Sequence, residues 1–208
     1  MRDDRVHGNH RDSTADVRDF FTPRAADWDS RFPDDGPAYA AAVAELGLRA
    51  GDAVLDAGCG TGRALPALRA AVGSRGTVLG FDLTPAMLAA AVRAGRDRDG
   101  MLALADVAGL PLRDGCLDAV FAAGLISHFA DPGTGLRELA RVVRPHGSIA
   151  LFHPVGRAAL AARHGRPPSP DDLRAEPNLR PLLARCGWRL EAYTDEDTRY
   201  LALAVRQG

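Results

Sequence analysis

The chain has 208 residues, with 26 Lys+Arg against 27 Asp+Glu for a formal net charge of −1, and 46% of it is hydrophobic. That length suits one domain with a sizeable core and excludes two full ones. The charge balance offers no general attraction to phosphate backbones or acidic membranes, which disfavours nucleic acid and membrane partners.

Three cysteines, Cys59, Cys116 and Cys186, are far apart and form no CxxC pair. They suggest neither a disulfide framework nor a zinc site, so no metal is expected and a reducing cytoplasm is the default location. Met1 to Asp19 is charged and has no apolar leader pattern, and no later run reaches the ~18 apolar residues needed to span a bilayer.

Residues 1–15 are polar and unpatterned and are expected to be mobile. Asp16 to Phe32 then carries Val17, Phe20, Phe21, Trp28 and Phe32, a dense aromatic set in a chain that is 6% aromatic. Pro37 to Leu48 repeats Tyr39, Val43, Leu46 and Leu48 at helical spacing, and the two segments predict a helical cap over residues 16–50. From Ala53 strands and helices alternate, the pattern of a parallel sheet covered on both faces. Strands are predicted at Ala53–Ala57, Thr77–Phe81, Met101–Ala105, Leu117–Ala122 and Ser148–His153. Helices are predicted at Arg63–Val72, Pro85–Gly95 and Pro132–Val143, the second with Thr84 as N-cap and Pro85 at its first position. A helix near Asp171–Cys186 and two strands, Trp188–Tyr193 and Tyr200–Val205, close the chain. The short acidic joint Thr194–Asp197 between those strands favours an antiparallel hairpin.

The chain is organised around Val54-Leu55-Asp56-Ala57-Gly58-Cys59-Gly60-Thr61-Gly62. An apolar run breaks into glycines at alternate positions before helical periodicity begins, which reads as strand, tight loop, helix. Such a loop lets a ligand lie against backbone N–H groups at the positive end of the helix. In open α/β sheets ligands sit beyond the carboxyl ends of the strands, so the informative residues follow each strand: Asp56, Asp82, Asp106, Gly124 to Phe129, and His153. Asp82 lies about 20 residues beyond the loop, where a carboxylate can accept both hydroxyls of a ribose. That spacing suits NAD equally well. However, Arg63 stands where a dinucleotide fingerprint has its third glycine, and Asp56 would repel a pyrophosphate while suiting an ammonium group.

From Val54 to about Phe152 the chain resembles the class I S-adenosylmethionine-dependent methyltransferases, especially the small-molecule group called type 11. The resemblance rests on VLDAGCGTG, GFDLTPAML, ADVAGLPLRDGCLDAVFAAGLISHFADP and LRELARVVRPHGSIALF, in the family's order and spacing. It implies an α/β, Rossmann-like, seven-stranded, mostly parallel sheet with helices on both faces and an antiparallel C-terminal hairpin strand. Residues 16–208 then form a single domain: the cap, a cofactor-binding core over 51–153, and a C-terminal part of the sheet with a substrate-side connector over 154–208. It also implies S-adenosyl-L-methionine as cofactor. Asp56, Gly58 and Gly60 would lie against its methionine part and Asp82 would hold the ribose hydroxyls. Leu83 would pack on the adenine, Asp106 would accept from the adenine amino group and the backbone of Val107 would meet the ring edge. Gly62 and Gly124 join this set. Two departures, His146 for a glycine in RVVRPHG and LPL for LPF, are expected to be harmless.

The activated methyl needs an acceptor held in line, at about 3 Å, with water excluded. A base is required only for a protonated amine or un-ionised hydroxyl, and His128 and His153 are the candidates because imidazole titrates near neutrality. Each histidine also has a plain reading, as a polar loop residue or a turn partner. Phe20, Phe21, Trp28 and Phe32 read by default as the apolar face that joins the cap to the sheet; the resemblance adds a substrate lid. Strand four ends in Ala-Ala-Gly-Leu-Ile and lacks the Asn/Asp-Pro-Pro-aromatic run of amino-group nucleic-acid methyltransferases, which favours a small-molecule acceptor. Arg157, Arg163, Arg166 and several prolines read as a surface connector with an anchored base. A monomer or homodimer is expected. The competing functions are a non-catalytic S-adenosylmethionine-binding or regulatory protein and an NAD-dependent oxidoreductase.

Overall fold

The computed structural model describes residues 13–32 and 35–208. Ser13 starts α1 (Thr14–Phe21) with a reciprocal pair: its side chain accepts from the Asp16 N–H while the Asp16 carboxylate accepts from the Ser13 N–H, closing two donors that a helix start leaves open. The helix thus begins inside the stretch expected to be mobile, and residues 1–12 lie outside the described residues. A tight turn at Thr22–Arg24, the single turn α2 (Trp28–Arg31) and α3 (Gly36–Glu45) complete the cap.

The alternating part follows as β1 (Ala53–Ala57), α4 (Leu65–Val72), β2 (Thr77–Asp82), α5 (Pro85–Arg93), β3 (Met101–Leu104), β4 (Leu117–Ala123), α6 (Pro132–Val142) and β5 (Val143–His153). After it come α7 (Arg157–Arg163), α8 (Glu176–Arg185), β6 (Trp188–Glu196) and β7 (Arg199–Arg206). The sheet has seven strands in the order β3-β2-β1-β4-β5-β7-β6. Strands β1 to β5 pair in parallel, and β7 runs antiparallel to both β5 and β6. This is the seven-stranded, mostly parallel architecture expected from the sequence.

Successive strand residues face opposite sides of a sheet. On one side Leu55, Leu79, Val120, Ile149 and Leu151 meet Leu136, Leu139, Leu179 and Trp188; on the other Val54, Val78, Phe121 and Phe152 meet Val43, Leu65 and Leu68. Burial on both faces explains why these strands read as continuous apolar runs. Trp188 is fully buried and donates its indole N–H to the Leu136 carbonyl at 2.9 Å, so its one polar group is satisfied.

Several elements differ from the sequence expectation. The connector holds a helix, α7, because Arg157-Ala-Ala-Leu-Ala-Ala-Arg163 is a run of strong helix formers between Gly156 and Gly165. Its base is anchored: Arg157 donates from its backbone N–H and from Nε to the Asp195 carboxylate at 2.8 and 2.9 Å. Helix α8 starts at Glu176, not near Asp171, since Asp172 turns back to cap its own loop by accepting from the Arg174 N–H at 2.9 Å. Strands β6 and β7 absorb Thr194 to Glu196 and leave a joint of only Asp197 and Thr198. Strand β5 begins at Val143 with an irregular register, pairing Val143 with Leu117 and then Ser148 with Ala119. His146 lies within that irregularity and has φ 65°, the one positive φ outside glycine among the described residues.

Strand order reverses between β1 and β4, and this opens a crevice beyond their carboxyl ends.

Candidate functional site

At the end of β1 the chain turns through Gly58, Gly60 and Gly62 with φ of 67°, 55° and 78°. Their surroundings differ. A Cβ on Gly58 would lie 2.8 Å from Leu125 Cδ1, and one on Gly62 would lie 2.8 Å from Leu65 Cδ1 and 3.4 Å from Arg96 Cβ, so these two are held by packing. A Cβ on Gly60 would meet nothing within 4 Å, and the same holds at Gly124. Gly60 therefore presents bare backbone to open space, the condition for a ligand to rest on the main chain.

Two carboxyl groups end the neighbouring strands. Asp56 is 1% exposed and accepts no hydrogen bond from the described residues. Burial first, and then the nearby Asp82, push its carboxyl up to about 8. Asp82 is also buried, but its oxygens are engaged: Oδ2 accepts from the Gly60 N–H at 2.8 Å and Oδ1 from the Thr84 N–H at 2.7 Å. Burial raises its pKa and these backbone bonds pull against that rise. Thr84 is the N-cap of α5, with Pro85 at its first position as expected, while its hydroxyl turns to Asp82 and makes no capping bond. Asp106 is exposed after β3, its Oδ1 accepting from the Ala108 N–H at 2.8 Å, with Val107 buried beside it and Leu83 half-buried after β2. Among the described residues no ion pair neutralises Asp56 or Asp82. Two buried carboxyls without a counter-charge favour a cationic ligand.

The cap reaches this loop through polar side chains. Asp29 accepts from the Thr61 hydroxyl at 2.6 Å and forms an ion pair with Arg96 at 2.7 Å, and Arg96 Nη1 donates to the Thr61 carbonyl at 2.6 Å. Arg63 pairs with Asp35 at 3.2 Å and donates to the Phe32 carbonyl. Arg18 donates to the Leu83 carbonyl at 3.0 Å. Tyr39 packs its ring 5.1 Å from Phe152 and 6.2 Å from Phe121, with the Arg63 guanidinium 5.5 Å from its ring centre. Burial, then Asp56, push the Tyr39 phenol up. Sequence reasoning missed Asp29, Thr61 and Tyr39. Asp29 has no distinguishing pattern, Thr61 stands in the glycine-loop motif without a role of its own, and Tyr39 reads only as one member of a helix stripe.

The aromatic set has a different place from its default reading. Phe20, Phe21, Trp28 and Phe32 pack on one another in chain order, with ring centres 5.0, 5.5 and 5.2 Å apart, and none of them is buried. Joining cap to sheet falls to Ala42, Val43 and Leu46, to Tyr39 and to the polar contacts. The set does meet His128, whose ring is 5.0 Å from Phe21 and 6.4 Å from Phe20, in the turn Leu125–His128 after β4.

His153, at the end of β5, turns Nδ1 back onto its own chain, 2.7 Å from the Val155 carbonyl and 3.1 Å from the Val155 N–H. Nδ1 donates to the carbonyl in one tautomer and accepts from the N–H in the other. Burial pushes this imidazole down to about 4, which corrects the expectation that it titrates near neutrality. Cys59, packed 3.3 Å from where a Gly80 Cβ would stand, is buried, and burial raises its thiol pKa further from ionisation. Among the described residues no group of three or more His, Cys, Asp or Glu is placed to hold a metal, and no helix is long and apolar enough to cross a membrane.

Residues 55–151 match the family model described as a methyltransferase domain. The 27-O-demethylrifamycin SV methyltransferase of Amycolatopsis mediterranei is 36% identical over 110 residues, 51% of this chain and 40% of that protein. The demethylmenaquinone methyltransferase of Corynebacterium kroppenstedtii is 35% identical over 106 residues, 51% of this chain and 43% of that protein. The chain spans between 32% and 49% of the length of such curated relatives. Among solved structures, magnesium protoporphyrin IX methyltransferase from Synechocystis, with bound S-adenosylhomocysteine, superposes with a TM-score of 0.73 at 19% identity, covering 94% of this chain and 100% of that one. A methyltransferase from Aquifex aeolicus gives 0.68 at 22% identity, covering 94% and 99%.

Proposed function

We propose that this chain, whose residues 55–151 match a methyltransferase domain, is a class I S-adenosylmethionine-dependent methyltransferase that transfers a methyl group to a small-molecule acceptor. The observation that carries this reading is Asp56, a buried carboxyl without a hydrogen-bond partner among the described residues, beside the open backbone of Gly60. A ligand with an ammonium group supplies the missing charge, and a pyrophosphate does the opposite.

The residues present fit the cofactor group by group. Asp56, Gly58 and Gly60 hold the methionine end, with Gly62 and Gly124 shaping the backbone around it. Asp82 faces the ribose hydroxyls with what its roughly four acceptor positions keep after the Gly60 amide, the Thr84 amide and the Thr84 hydroxyl are served. Leu83 and Val107 bound the adenine and Asp106 accepts from its amino group. When bound, the cofactor supplies a methyl already activated by its sulfonium. The chain's own task is then to orient an acceptor and exclude water. Phe20, Phe21, Trp28 and Phe32, resting on His128, form the lid for that purpose. His153 offers an uncharged imidazole that can take a proton from a hydroxyl acceptor, and His128 is the alternative base under the lid. The relatives named for 27-O-demethylrifamycin SV and demethylmenaquinone support a small-molecule acceptor.

Calorimetry with S-adenosylhomocysteine tests the reading. The expected result is micromolar binding that Asp82→Ala weakens strongly, together with methyl transfer from labelled cofactor to a metabolite pool. A chain that binds no such nucleoside contradicts the proposal, and binding without any transfer reduces it to a non-catalytic cofactor-binding protein.

A further inference from the structure

We propose that Asp29 is a positioning residue: its carboxylate latches the cap onto the glycine loop and thereby sets how long the cofactor is retained, an inference that rests on the methyltransferase reading. The latch is a closed ring of three parts. Asp29 of α2 takes the Thr61 hydroxyl on Oδ1 at 2.6 Å and the Arg96 guanidinium on Oδ2 at 2.7 Å, and Arg96 returns to the Thr61 carbonyl at 2.6 Å. Thr61 is therefore held by both its side chain and its backbone. Its neighbour Gly60 is the residue whose amide fixes Asp82 at 2.8 Å.

The polar ring matters because apolar burial does little here. Neither α1 nor α2 contains a buried residue and only Ala25 is buried among residues 13–32, so the cap segment ahead of α3 gains little from the core. A second pairing leaves the same loop two residues later, where Arg63 reaches Asp35 and the Phe32 carbonyl. Cap and loop thus share one set of contacts. A ligand lying on Gly60 orders Thr61, an ordered Thr61 favours the docked cap, and a docked cap covers the ligand. Closure need not be driven by the acceptor.

Each bond in the ring can be removed separately. Asp29→Asn keeps an oxygen for the Thr61 hydroxyl but loses the charge facing Arg96; Thr61→Val removes the hydroxyl alone; Thr61→Ser restores it. Release of S-adenosylhomocysteine from the full chain is followed by rapid-mixing displacement, alongside amide hydrogen exchange of the ligand-free chain. Asp29→Asn and Thr61→Val should each speed release by roughly three- to tenfold, the size expected for a partly exposed charge-assisted bond. The double variant should show less than the product of the two, because both act on one ring. Thr61→Ser should release at the wild-type rate. In exchange, Asp29→Asn should loosen residues 28–32 and 59–64 together. Unchanged release, or fully multiplicative single effects, would overturn the latch, as would exchange that rises in the cap alone. If the wild-type chain binds no S-adenosylhomocysteine, the methyltransferase reading fails, while the exchange measurement still decides whether Asp29 couples cap to loop.

Discussion

Gly60 donates its backbone N–H to Asp82 Oδ2 at 2.8 Å, so the glycine that opens the loop after one strand also orients the carboxylate that ends the next. Replacing Asp82 by Ala removes two backbone hydrogen bonds and the bond from the Thr84 hydroxyl, and leaves the Gly60 and Thr84 amides unpaired. We expect the fold to lose about 1–3 kcal/mol and the affinity for S-adenosylhomocysteine to fall roughly a hundredfold. Thermal unfolding and calorimetry read the two effects separately. Wild-type affinity in this variant would remove Asp82 from the cofactor site.

Asp56 should make cofactor binding release a proton. Its carboxyl is pushed up to about 8 by burial and Asp82, so it is protonated in the ligand-free chain at neutral pH, whereas a cation beside it favours the carboxylate. Affinity for S-adenosylhomocysteine should therefore rise with pH by up to about tenfold per unit below 8 and level off above it. Calorimetry in buffers of different ionisation enthalpy measures the released proton directly. Asp56→Asn should abolish both the slope and the release.

The same shifts set the stability of the ligand-free chain. Between roughly pH 4 and 8 the native state binds the Asp56 proton that the unfolded state has lost, so this group makes stability fall as pH rises. His153 is held down to about 4 from 6.5, so between those values the unfolded state binds the extra proton and stability rises with pH. The two slopes oppose each other below pH 6.5, and above it the Asp56 slope remains, at up to about 1.4 kcal/mol per pH unit. Urea unfolding at pH 5.5, 6.5 and 7.5 should show a plateau followed by a decline. In Asp56→Asn the decline should vanish.

A neutral His153 leaves a signature in turnover as well. The pH dependence of kcat should carry no limb between pH 5 and 8 from this imidazole, because it is already uncharged there. His153→Gln should lower turnover more than cofactor affinity. A limb near pH 6.5 that disappears in His153→Gln would contradict the burial argument.

His146 occupies a left-handed backbone position, φ 65°, exposed and far from the strand ends that build the site. A side chain there costs about 1–2 kcal/mol, part of which glycine returns through its more flexible unfolded chain. His146→Gly should stabilise the protein by about 0.5–1 kcal/mol without altering S-adenosylhomocysteine binding. Chemical denaturation of the two chains checks this. It also refines the sequence expectation that a histidine in place of the family's glycine is harmless: the substitution spares the site but strains the turn.

Much of the fold was legible along the chain because its signals are local. Apolar runs such as Ala53–Leu55 and Ala119–Ala122 mark strands buried on both faces, and Pro85 and Pro132 mark helix starts. The carboxyl-end residues Asp56, Asp82 and Asp106 could be picked out because strand ends converge in any sheet of this kind. Helix α7 and the start of α8 were misread for an equally local reason: the prolines and arginines around the connector outweighed its alanine run.

The sequence by itself determined the glycine loop, the carboxylates at the strand ends and, through them, the class of ligand, since each depends on residues adjacent in the chain. Only the tertiary structure decided what those groups experience. Asp29 and Thr61 lie 32 residues apart, and Arg96 and Thr61 lie 35 apart, so their ring exists because the cap and the turn before β3 dock on the same loop. The protonated Asp56 and the neutral His153 likewise follow from burial, a property of the packed chain that no spacing between residues records.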